Sequence, residues 1–309
     1  MHEPLSTANI PPQFLQAAFL LGHTPLKALE SEPRVSYSLY IPPKHYDTDS
    51  DPKQLPLVLL VHGTRRRLTA LYAEDVVSFA NSTPCVVLAP LFPSGLDGPN
   101  DLDSYKTLRS KSLSSDLAIL SILEEVATRW PGIRTDKVFM MGFSGGGQFT
   151  QRFLCLYPDR VLAASVGAPG RTTILDPETP WPEGVANVET LFGRQIRKQL
   201  IQQVPIQLAV GSADNHVHGN EEFWDWLEQF KGGKDKDGQN EELKRMRQGR
   251  LQSLRDLKEA WESEGILCQL TIVDGVSHEG DKMRPHMLQF LRPLIQAEFQ
   301  RLTGDEGEN

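Results

Sequence analysis

The sequence predicts an α/β fold in which a mainly parallel sheet carries helices on both faces. Short apolar runs, such as residues 57–61 and 206–210, alternate along the chain with longer segments of helical spacing. Runs that are apolar at every position are typical of parallel strands covered on both faces, because half-exposed strands alternate apolar and polar residues. No internal repeat is evident, and 309 residues suit one α/β domain with insertions. We therefore expect a single domain over residues 1–309.

Strands are predicted wherever an apolar or alternating run is short and ends in turn residues. Residues 35–41 alternate polar and apolar positions, which indicates a half-exposed strand that a Pro-Pro pair ends. Runs that are entirely or mostly apolar predict the remaining strands at residues 57–61, 86–89, 138–141, 162–166, 206–210 and 267–273.

Helices are predicted between these strands from their spacing and end signals. Ser112, Ser114 and Ser115 offer an N-cap for a long helix over residues 116–129, which Trp-Pro-Gly ends. Similar spacing predicts further helices at residues 14–21, 68–81, 148–157, 193–202, 241–261 and 282–302, the last interrupted or started near Pro285.

Two connections are longer than this alternation requires. Residues 172–203 lie between two predicted strands, and a connection of that length usually has a function, so we expect a small cap over the site. Residues 217–265 open with an aromatic segment and close with a charged helix, which indicates a solvated, helical excursion.

Composition and charge restrict the class of protein. The formal net charge is −8, with 39% apolar and 23% charged residues. A protein that binds nucleic acid needs a basic face, so this balance argues against nucleic acid as a partner. No apolar run reaches the length of a membrane span, and the N-terminus lacks the basic residues of a secretory signal. The three cysteines lie in apolar runs, and no Cys/His spacing indicates a metal site, so we expect a cytoplasmic protein without a metal.

The clearest chemical signal is a glycine-rich turn within residues 137–148, which read KVFMMGFSGGGQ. The turn gives the pattern G-x-S-x-G at a junction between a predicted strand and a predicted helix. A serine at such a turn has a strained backbone, so its hydroxyl stands clear of the sheet. The flanking glycines are required because side chains there would collide with the strand and the helix. We predict Ser144 as a nucleophile, rather than as the serine of an ordinary glycine-rich turn.

A serine hydroxyl is a weak nucleophile at neutral pH, so it needs a base, and the base needs a carboxylate to orient it. Asp214 and His278 each follow a predicted strand within a few residues, in the chain order Ser, Asp, His. We predict them as the partners of Ser144. The competing carboxylates and imidazoles are Asp225, Asp274, His216, His218 and His286.

The anion formed during acyl transfer needs backbone N–H donors held in place beforehand. We predict one donor at Gly145, directly after the nucleophile, and a second at Thr64, in the turn that follows strand 57–61. His62 precedes the serine in the chain, and we expect it to brace that turn rather than to act as the base.

Arg65, Arg66 and Arg67 follow the same turn. They form either a solvated basic loop or a clamp for an anionic substrate group, such as a carboxylate or a phosphopantetheine phosphate, because arginine suits bidentate recognition. Several aromatic residues either line the pocket or belong to the core. The predicted substrate-binding residues are Arg65, Arg66, Phe143, Trp181, Phe192 and Trp224.

These blocks make the chain similar to the α/β-hydrolase superfamily over about residues 35–302. The segments LVLLVHG, VFMMGFSGG, QLAVGSADNHV and VDGVSHEG carry the resemblance. Within the superfamily, LPLVLLVHG with the serine block resembles the polyhydroxybutyrate depolymerase and feruloyl-esterase-like branch. Stand-alone hydrolases of fungal natural-product pathways are similar in size and motif layout. The resemblance implies an α/β-hydrolase fold with a Ser-Asp-His triad, an oxyanion hole and no cofactor.

The predicted activity is that of a serine esterase, lactonase or thioesterase acting on a small organic substrate, which could be a secondary metabolite. One alternative keeps the triad but lets an internal hydroxyl or amine capture the acyl-enzyme, which gives an acyltransferase or a cyclase. The other is a non-catalytic binding protein on the same fold, against which the complete set of Ser144, Asp214 and His278 argues. The sequence leaves the acyl group, its partner and the oligomeric state open.

Overall fold

The computed structural model describes residues 5–46, 54–99, 101–215 and 249–304. Within this part of the chain, the strands are β1 (Gly22–His23), β2 (Lys27–Ala28), β3 (Ser36–Ile41), β4 (Leu57–Val61), β5 (Val86–Leu91), β6 (Val138–Phe143), β7 (Val161–Gly167), β8 (Ile206–Gly211) and β9 (Cys268–Val273). The helices are α1 (Pro12–Leu15), α2 (Glu74–Ser82), α3 (Ser115–Arg129), α4 (Gly145–Leu156), α5 (Val188–Phe192), α6 (Lys198–Ile201), α7 (Arg250–Ser263) and α8 (Gly280–Thr303). All of the strands belong to one sheet.

The strand order is β1-β3-β5-β4-β6-β7-β8-β9, with β2 also paired to β3. The strands β5, β4, β6, β7, β8 and β9 run parallel, and β3 is antiparallel to its neighbours β1, β2 and β5. The predicted α/β fold with a mainly parallel sheet is therefore confirmed.

The two faces of the sheet have separate hydrophobic cores. Strand β4 shows why its run is apolar at every position. Leu57, Leu59 and Val61 pack into the larger core, which also takes side chains from α3, α4 and α7. Val58 and Leu60 pack into the smaller core, between the sheet and the helices α2 and α8. Because successive side chains of a strand point to opposite faces, both phases of β4 must be apolar.

The order of strands around β4 determines where the site forms. After β4 the chain pairs β5 on one side of it and then crosses over to pair β6 on the other side. In open α/β sheets, such a reversal of strand order opens a crevice at the carboxyl ends of the strands, where ligands bind. The turns that follow β4 and β6 therefore meet at this crevice.

Three of the predicted helices differ from the structure. The helix expected over residues 193–202 is limited to α6, because Gly193 ends α5 in a left-handed conformation and the chain becomes helical again only at Lys198. The helix expected over residues 14–21 is α1, which ends at Leu15; farther along, Phe19 adopts a φ of 56° and Leu20 is buried. Near the C-terminus, α8 runs without interruption from Gly280 to Thr303, with Pro285 and Pro293 inside it. Apolar side chains of α8 pack into the smaller core, and this packing offsets the backbone hydrogen bonds that the prolines cannot make.

The predicted cap, residues 172–203, contains the short helices α5 and α6. It packs against the loop that precedes α3: Trp181 donates from Nε1 to the Thr107 carbonyl at 2.7 Å, and Arg109 donates to the Leu191 carbonyl at 3.1 Å. In the excursion predicted over residues 217–265, positions 217–248 lie outside the described residues, and α7 accounts for most of the remainder. In the described part of the chain, no helix combines the length and the apolar character that crossing a bilayer requires.

Candidate active site

Ser144 occupies the tight turn between β6 and α4. Its backbone angles are φ 59° and ψ −117°, outside the regions that L-residues ordinarily populate. Its N–H donates to the Gly167 carbonyl at 2.8 Å, which fixes the turn to the neighbouring strand β7. Strain of this kind persists only where surrounding structure holds it, and it is concentrated at functional sites. Ser144 thus lies at the carboxyl end of β6, directly before the first residue of α4.

The two glycines of the G-x-S-x-G pattern are required by close backbone contacts. A Cβ on Gly142 would lie 2.3 Å from the Gly146 carbonyl oxygen, and a Cβ on Gly146 would lie 2.1 Å from the Val61 carbonyl oxygen. Both obstacles are backbone atoms, so neither can rotate away. The beginning of α4 can approach β4 and β6 only because these positions carry no side chain.

The register of the sheet brings the predicted oxyanion turn to the nucleophile. Val61 pairs with Gly142, so the turn at residues 62–64 continues beside Ser144. A Cβ on Gly63 would lie 3.8 Å from Ser144 Cβ, and a Cβ on Gly145 would lie 2.9 Å from Thr64 Oγ1. Gly145 is the first residue of α4, where backbone N–H groups have no partner within the helix. Thr64 and Gly145 therefore lie together where they could present N–H donors to one anion.

His62 braces this turn with both ring nitrogens. Nδ1 bonds to the Gly63 carbonyl at 2.9 Å, and the Phe92 N–H donates to Nε2 at 3.1 Å. Because Nε2 accepts a hydrogen bond, the ring proton lies on Nδ1. Burial lowers the pKa of His62 to about 4, so the ring is neutral at physiological pH. One ring nitrogen thus bonds within the turn and the other bonds to the residue after β5, so His62 ties the turn to the neighbouring strand.

The structure brings Asp214 and His278 into direct contact. They follow the adjacent strands β8 and β9, and the Ala213 N–H donates to the Val276 carbonyl at 3.0 Å, which joins the two loops. His278 Nδ1 lies 2.7 Å from Asp214 Oδ2, and the Asp214 side chain is fully buried. A carboxylate can only accept, so the proton of the neutral imidazole lies on Nδ1. Nε2 is then unprotonated and can accept a proton from a nucleophile.

Arg250 is a further residue of the site, and sequence reasoning missed it. Its Nη1 donates to Asp214 Oδ1 at 3.1 Å, and its backbone N–H donates to the Asp214 carbonyl at 3.1 Å. The two oxygens of one buried carboxylate are thus divided between an imidazole and a guanidinium. Arg250 stands at the start of α7 within a highly charged stretch of sequence, and nothing in the sequence distinguishes it from the other charged residues there.

Ser144 and His278 line the same cavity, which has a volume of about 930 Å³. Phe143 also lines it and packs against His278, with 4.7 Å between the ring centroids. Around them, the cavity is lined by the turn after β4, residues 101–103, Lys106 and the first turns of α8. None of the residues 172–203 reaches this lining.

The predicted substrate-binding residues therefore divide into three groups. Phe143, Arg65 and Arg66 line the cavity. Trp181 and Phe192 do not, which corrects the prediction for them: they pack edge to face, with 5.2 Å between ring centroids, beneath the loop before α3. Their apolar surface is used to hold that loop in place. Trp224 lies outside the described residues.

Of the competing carboxylates and imidazoles, Asp274 and His286 lie within the described part of the chain. Asp274 is exposed and accepts a hydrogen bond from Ser212 Oγ at 3.1 Å, whereas the carboxylate that bonds to His278 is that of Asp214. His286 is not part of the cavity lining. Positions Asp225, His216 and His218 lie outside the described residues. Among the described residues, no group of three or more His, Cys, Asp and Glu side chains could hold a metal ion.

Comparison with known proteins gives likenesses in structure only. No family model matches the chain, and no curated protein matches it. A solved structure of poly(aspartic acid) hydrolase-1 from Sphingomonas sp. KT-1 has a TM-score of 0.59 at 18% identity, over 84% of this chain and 93% of that one. A poly(3-hydroxybutyrate) depolymerase from Bordetella parapertussis has a TM-score of 0.59 at 19% identity, over 87% and 88%.

A ferulic acid esterase is also similar, with a TM-score of 0.56 at 12% identity over 90% of this chain and 98% of that one. Identities this low establish the fold and nothing finer. The resemblance predicted from the motifs is confirmed at that level, since a depolymerase and an esterase of the predicted kinds are among these neighbours. The mainly parallel sheet, the strand-to-helix turn at Ser144 and these likenesses together identify the chain as having the α/β-hydrolase fold.

Proposed function

We propose that this protein is a serine hydrolase that cleaves a carboxylic ester, lactone or thioester through an acyl-enzyme at Ser144. One observation carries the proposal: His278, paired with the buried carboxylate of Asp214, lines the same cavity as Ser144. A buried carboxylate that orients an imidazole beside a strained serine is the arrangement that activates a serine hydroxyl.

The reaction follows from the tautomer of the imidazole. Ser144 Oγ attacks the carbonyl carbon while His278 Nε2 takes the hydroxyl proton, and the carbonyl π electrons move onto oxygen. The tetrahedral intermediate collapses, and the leaving alcohol or thiol departs with the proton from His278. Water then attacks the acyl-enzyme by the same route, which releases the acid and restores the hydroxyl. Asp214 stays ionised and stabilises the imidazolium at each transfer.

The oxyanion is held by the N–H groups of Thr64 and Gly145. In serine hydrolases the loss of one such donor raises the barrier by about 2.7–4 kcal/mol. Thr64 is suited to this role because His62 and the close packing of Gly63 on Ser144 fix the turn before substrate arrives. Donors that need no rearrangement stabilise the anion at no reorganisation cost.

The substrate is a small organic molecule. A cavity of about 930 Å³ lies within the range of about 300–1,000 Å³ that suits such ligands. Esterases occur among the structural neighbours, and one acts on ferulic acid esters by its name. An intracellular ester, lactone or thioester of secondary metabolism is consistent with this cavity. An internal acyl acceptor would use the same acyl-enzyme, and the products of the reaction separate that case from hydrolysis.

The test combines covalent labelling with turnover. The purified protein is treated with a fluorophosphonate probe and assayed on aliphatic esters, aromatic esters, lactones and thioesters, with products identified by mass spectrometry. We expect one adduct on Ser144. In Ser144→Ala the adduct is lost and kcat falls by about 10⁴–10⁶-fold. Ser263→Ala, an exposed serine on α7, is the control and should behave as the wild type. Labelling elsewhere, or activity retained by Ser144→Ala, would refute the proposal.

A further inference from the structure

Lys106 is a buried cation inside the candidate active site. It lines the cavity with Ser144 and His278, yet only 6% of its side chain is exposed. A Cβ on Gly145 would lie 2.9 Å from Lys106 Cε, the carbon that bears the ammonium group. The ammonium therefore lies one bond beyond an atom that packs directly on the proposed oxyanion donor.

The counterion of Lys106 is a solvated one. Its ammonium pairs with Asp103, three residues earlier, whose side chain is 61% exposed. Burial lowers the pKa of Lys106, and the positive charges of Arg66 and Arg152 lower it as well. The hydrogen bond and negative charge of Asp103 oppose this decrease. An attraction to a carboxylate that stands largely in water is screened, so this pair recovers little of what desolvating the ammonium costs.

Two other cations that line the cavity, Arg66 and Arg284, are bound by groups of the protein itself. Arg66 donates from Nε to the carbonyls of Phe92 and Pro93 at 3.1 and 3.0 Å, and from Nη1 to the Thr64 carbonyl at 3.0 Å. Its guanidinium is thus bonded to the loops that surround the cavity. Arg284 pairs with Asp75 and Asp281 on α2 and α8.

Arg65 and Arg67 lie exposed at the rim of the cavity, and the described residues offer them no ion pair. Among the cations that line the cavity, Lys106 is therefore the buried one, and it packs on Gly145, the residue that follows the reacting serine. A substrate carboxylate that entered the cavity would be desolvated together with the ammonium, and the attraction between the two would be stronger than the present screened pair.

We propose that Lys106 binds a carboxylate carried by the substrate, so that the preferred substrates are short acidic esters. This inference rests on the proposed function. The short distance between Lys106 and the oxyanion turn places the carboxylate only a few bonds from the scissile carbonyl. Half-esters of short dicarboxylic acids fit this requirement on the acyl side, and esters of short hydroxy acids fit it on the alcohol side. The substrate displaces Asp103, which turns into solvent.

The experiment measures a selectivity ratio. Hydrolysis of monoethyl glutarate is compared with that of its neutral amide isostere, ethyl 4-carbamoylbutanoate, by pH-stat titration at pH 7.5. In parallel, 4-acetoxybutanoate is compared with its amide, which tests the alcohol side. The readout is kcat/KM for the acid divided by kcat/KM for the amide, so a general loss of activity cancels.

We expect the wild type to prefer one of the acids. Lys106→Met should lower that ratio by about 10–100-fold, the range for losing a hydrogen bond to a charged group. Lys106→Arg, which keeps the charge, should restore part of the ratio, and Asp103→Asn should lower the KM of the acid. Lys258→Met removes the same charge on α7, far along the chain from the site, and should leave the ratio unchanged.

A second measurement needs no variant. Glutarate should inhibit the wild type competitively at low ionic strength, and the neutral diamide should not. The inference is overturned if the wild type shows no preference for either acid, or if Lys106→Met lowers the acid and the amide equally. Cleavage of neutral esters with labelling at Ser144 but without an acid preference would overturn this inference alone. Absence of labelling at Ser144 would overturn the proposed function as well.

Discussion

Replacement of Arg250 by methionine should destabilise the protein strongly, because it leaves the buried carboxylate of Asp214 without its guanidinium partner. Methionine keeps most of the volume of the side chain and removes the charge. Asp214 has no exposed side-chain surface, and Arg250 has 5%. The discount that applies to solvated ion pairs therefore does not apply here.

The magnitude follows from this burial. Removing one partner of a buried ion pair costs about 3–5 kcal/mol, because the remaining charge stays in a medium of low polarity. At about 2 °C per kcal/mol for a chain of this size, the apparent Tm should fall by about 6–10 °C. Activity should decline mainly through kcat, since Asp214 orients the imidazole that acts in the transition state.

The assay is urea denaturation followed by tryptophan fluorescence, with Tm from calorimetry and kcat on a neutral ester. Arg255→Met is the matched control, because Arg255 lies exposed on the same helix α7. It should change the free energy of unfolding by less than about 0.5 kcal/mol. If the free energies of unfolding of Arg250→Met and Arg255→Met differ by less than about 1 kcal/mol, Asp214 does not depend on Arg250 for stability, and the reasoning about this buried pair is wrong.

Three further predictions concern other buried groups. Burial lowers the pKa of His62 to about 4, so the unfolded chain binds a proton at higher pH than the folded protein does. The free energy of unfolding should therefore decrease as pH falls from about 6.5 to 4, and this group should account for up to about 3 kcal/mol of the decrease. His62→Gln should flatten that part of the curve, and an equal slope in wild type and variant would contradict the assignment. Gly146→Ala should abolish soluble folded protein, because its Cβ would lie 2.1 Å from a backbone oxygen, whereas Gly170→Ala, whose Cβ would meet only a flexible side chain at 3.2 Å, should fold. Burial raises the pKa of all three thiols, to about 12 for Cys155 and Cys268, and also for Cys85. The native protein should therefore not react with Ellman's reagent at pH 8, and the denatured chain should give three reactive thiols. Fast labelling of the native protein would show that the thiols are accessible.

Much of the fold could be predicted from local sequence patterns. The predicted strand 57–61 coincides with β4, and the predicted strand 206–210 lies within β8. Strands covered on both faces are mostly apolar along their length, and such a run can be recognised without knowing which strands pair with it. The two-residue strands β1 and β2 were not predicted, since two residues are too few to show a period.

The candidate site was predictable where a residue's role depends on its place relative to a strand. Ser144, Asp214 and His278 all lie within a few residues of strand ends, and parallel strands place such positions at one edge. Trp181 and Phe192 were assigned to the cavity by residue type alone, and aromatic side chains serve cores as well as pockets. Their actual contact with the loop before α3 depends on how two connections pack, which neither segment encodes locally.

The sequence by itself determined the alternation of strands and helices, the glycine turn at Ser144 and the order of the proposed triad along the chain. These are local properties, read from periodicity and from steric demands on a few consecutive residues. Only the tertiary structure decided that β4 lies between β5 and β6, that Arg250 neutralises Asp214, and that Lys106 is buried beside Gly145. Each of these depends on contacts between residues distant in the chain, and such contacts form only when the whole core has packed.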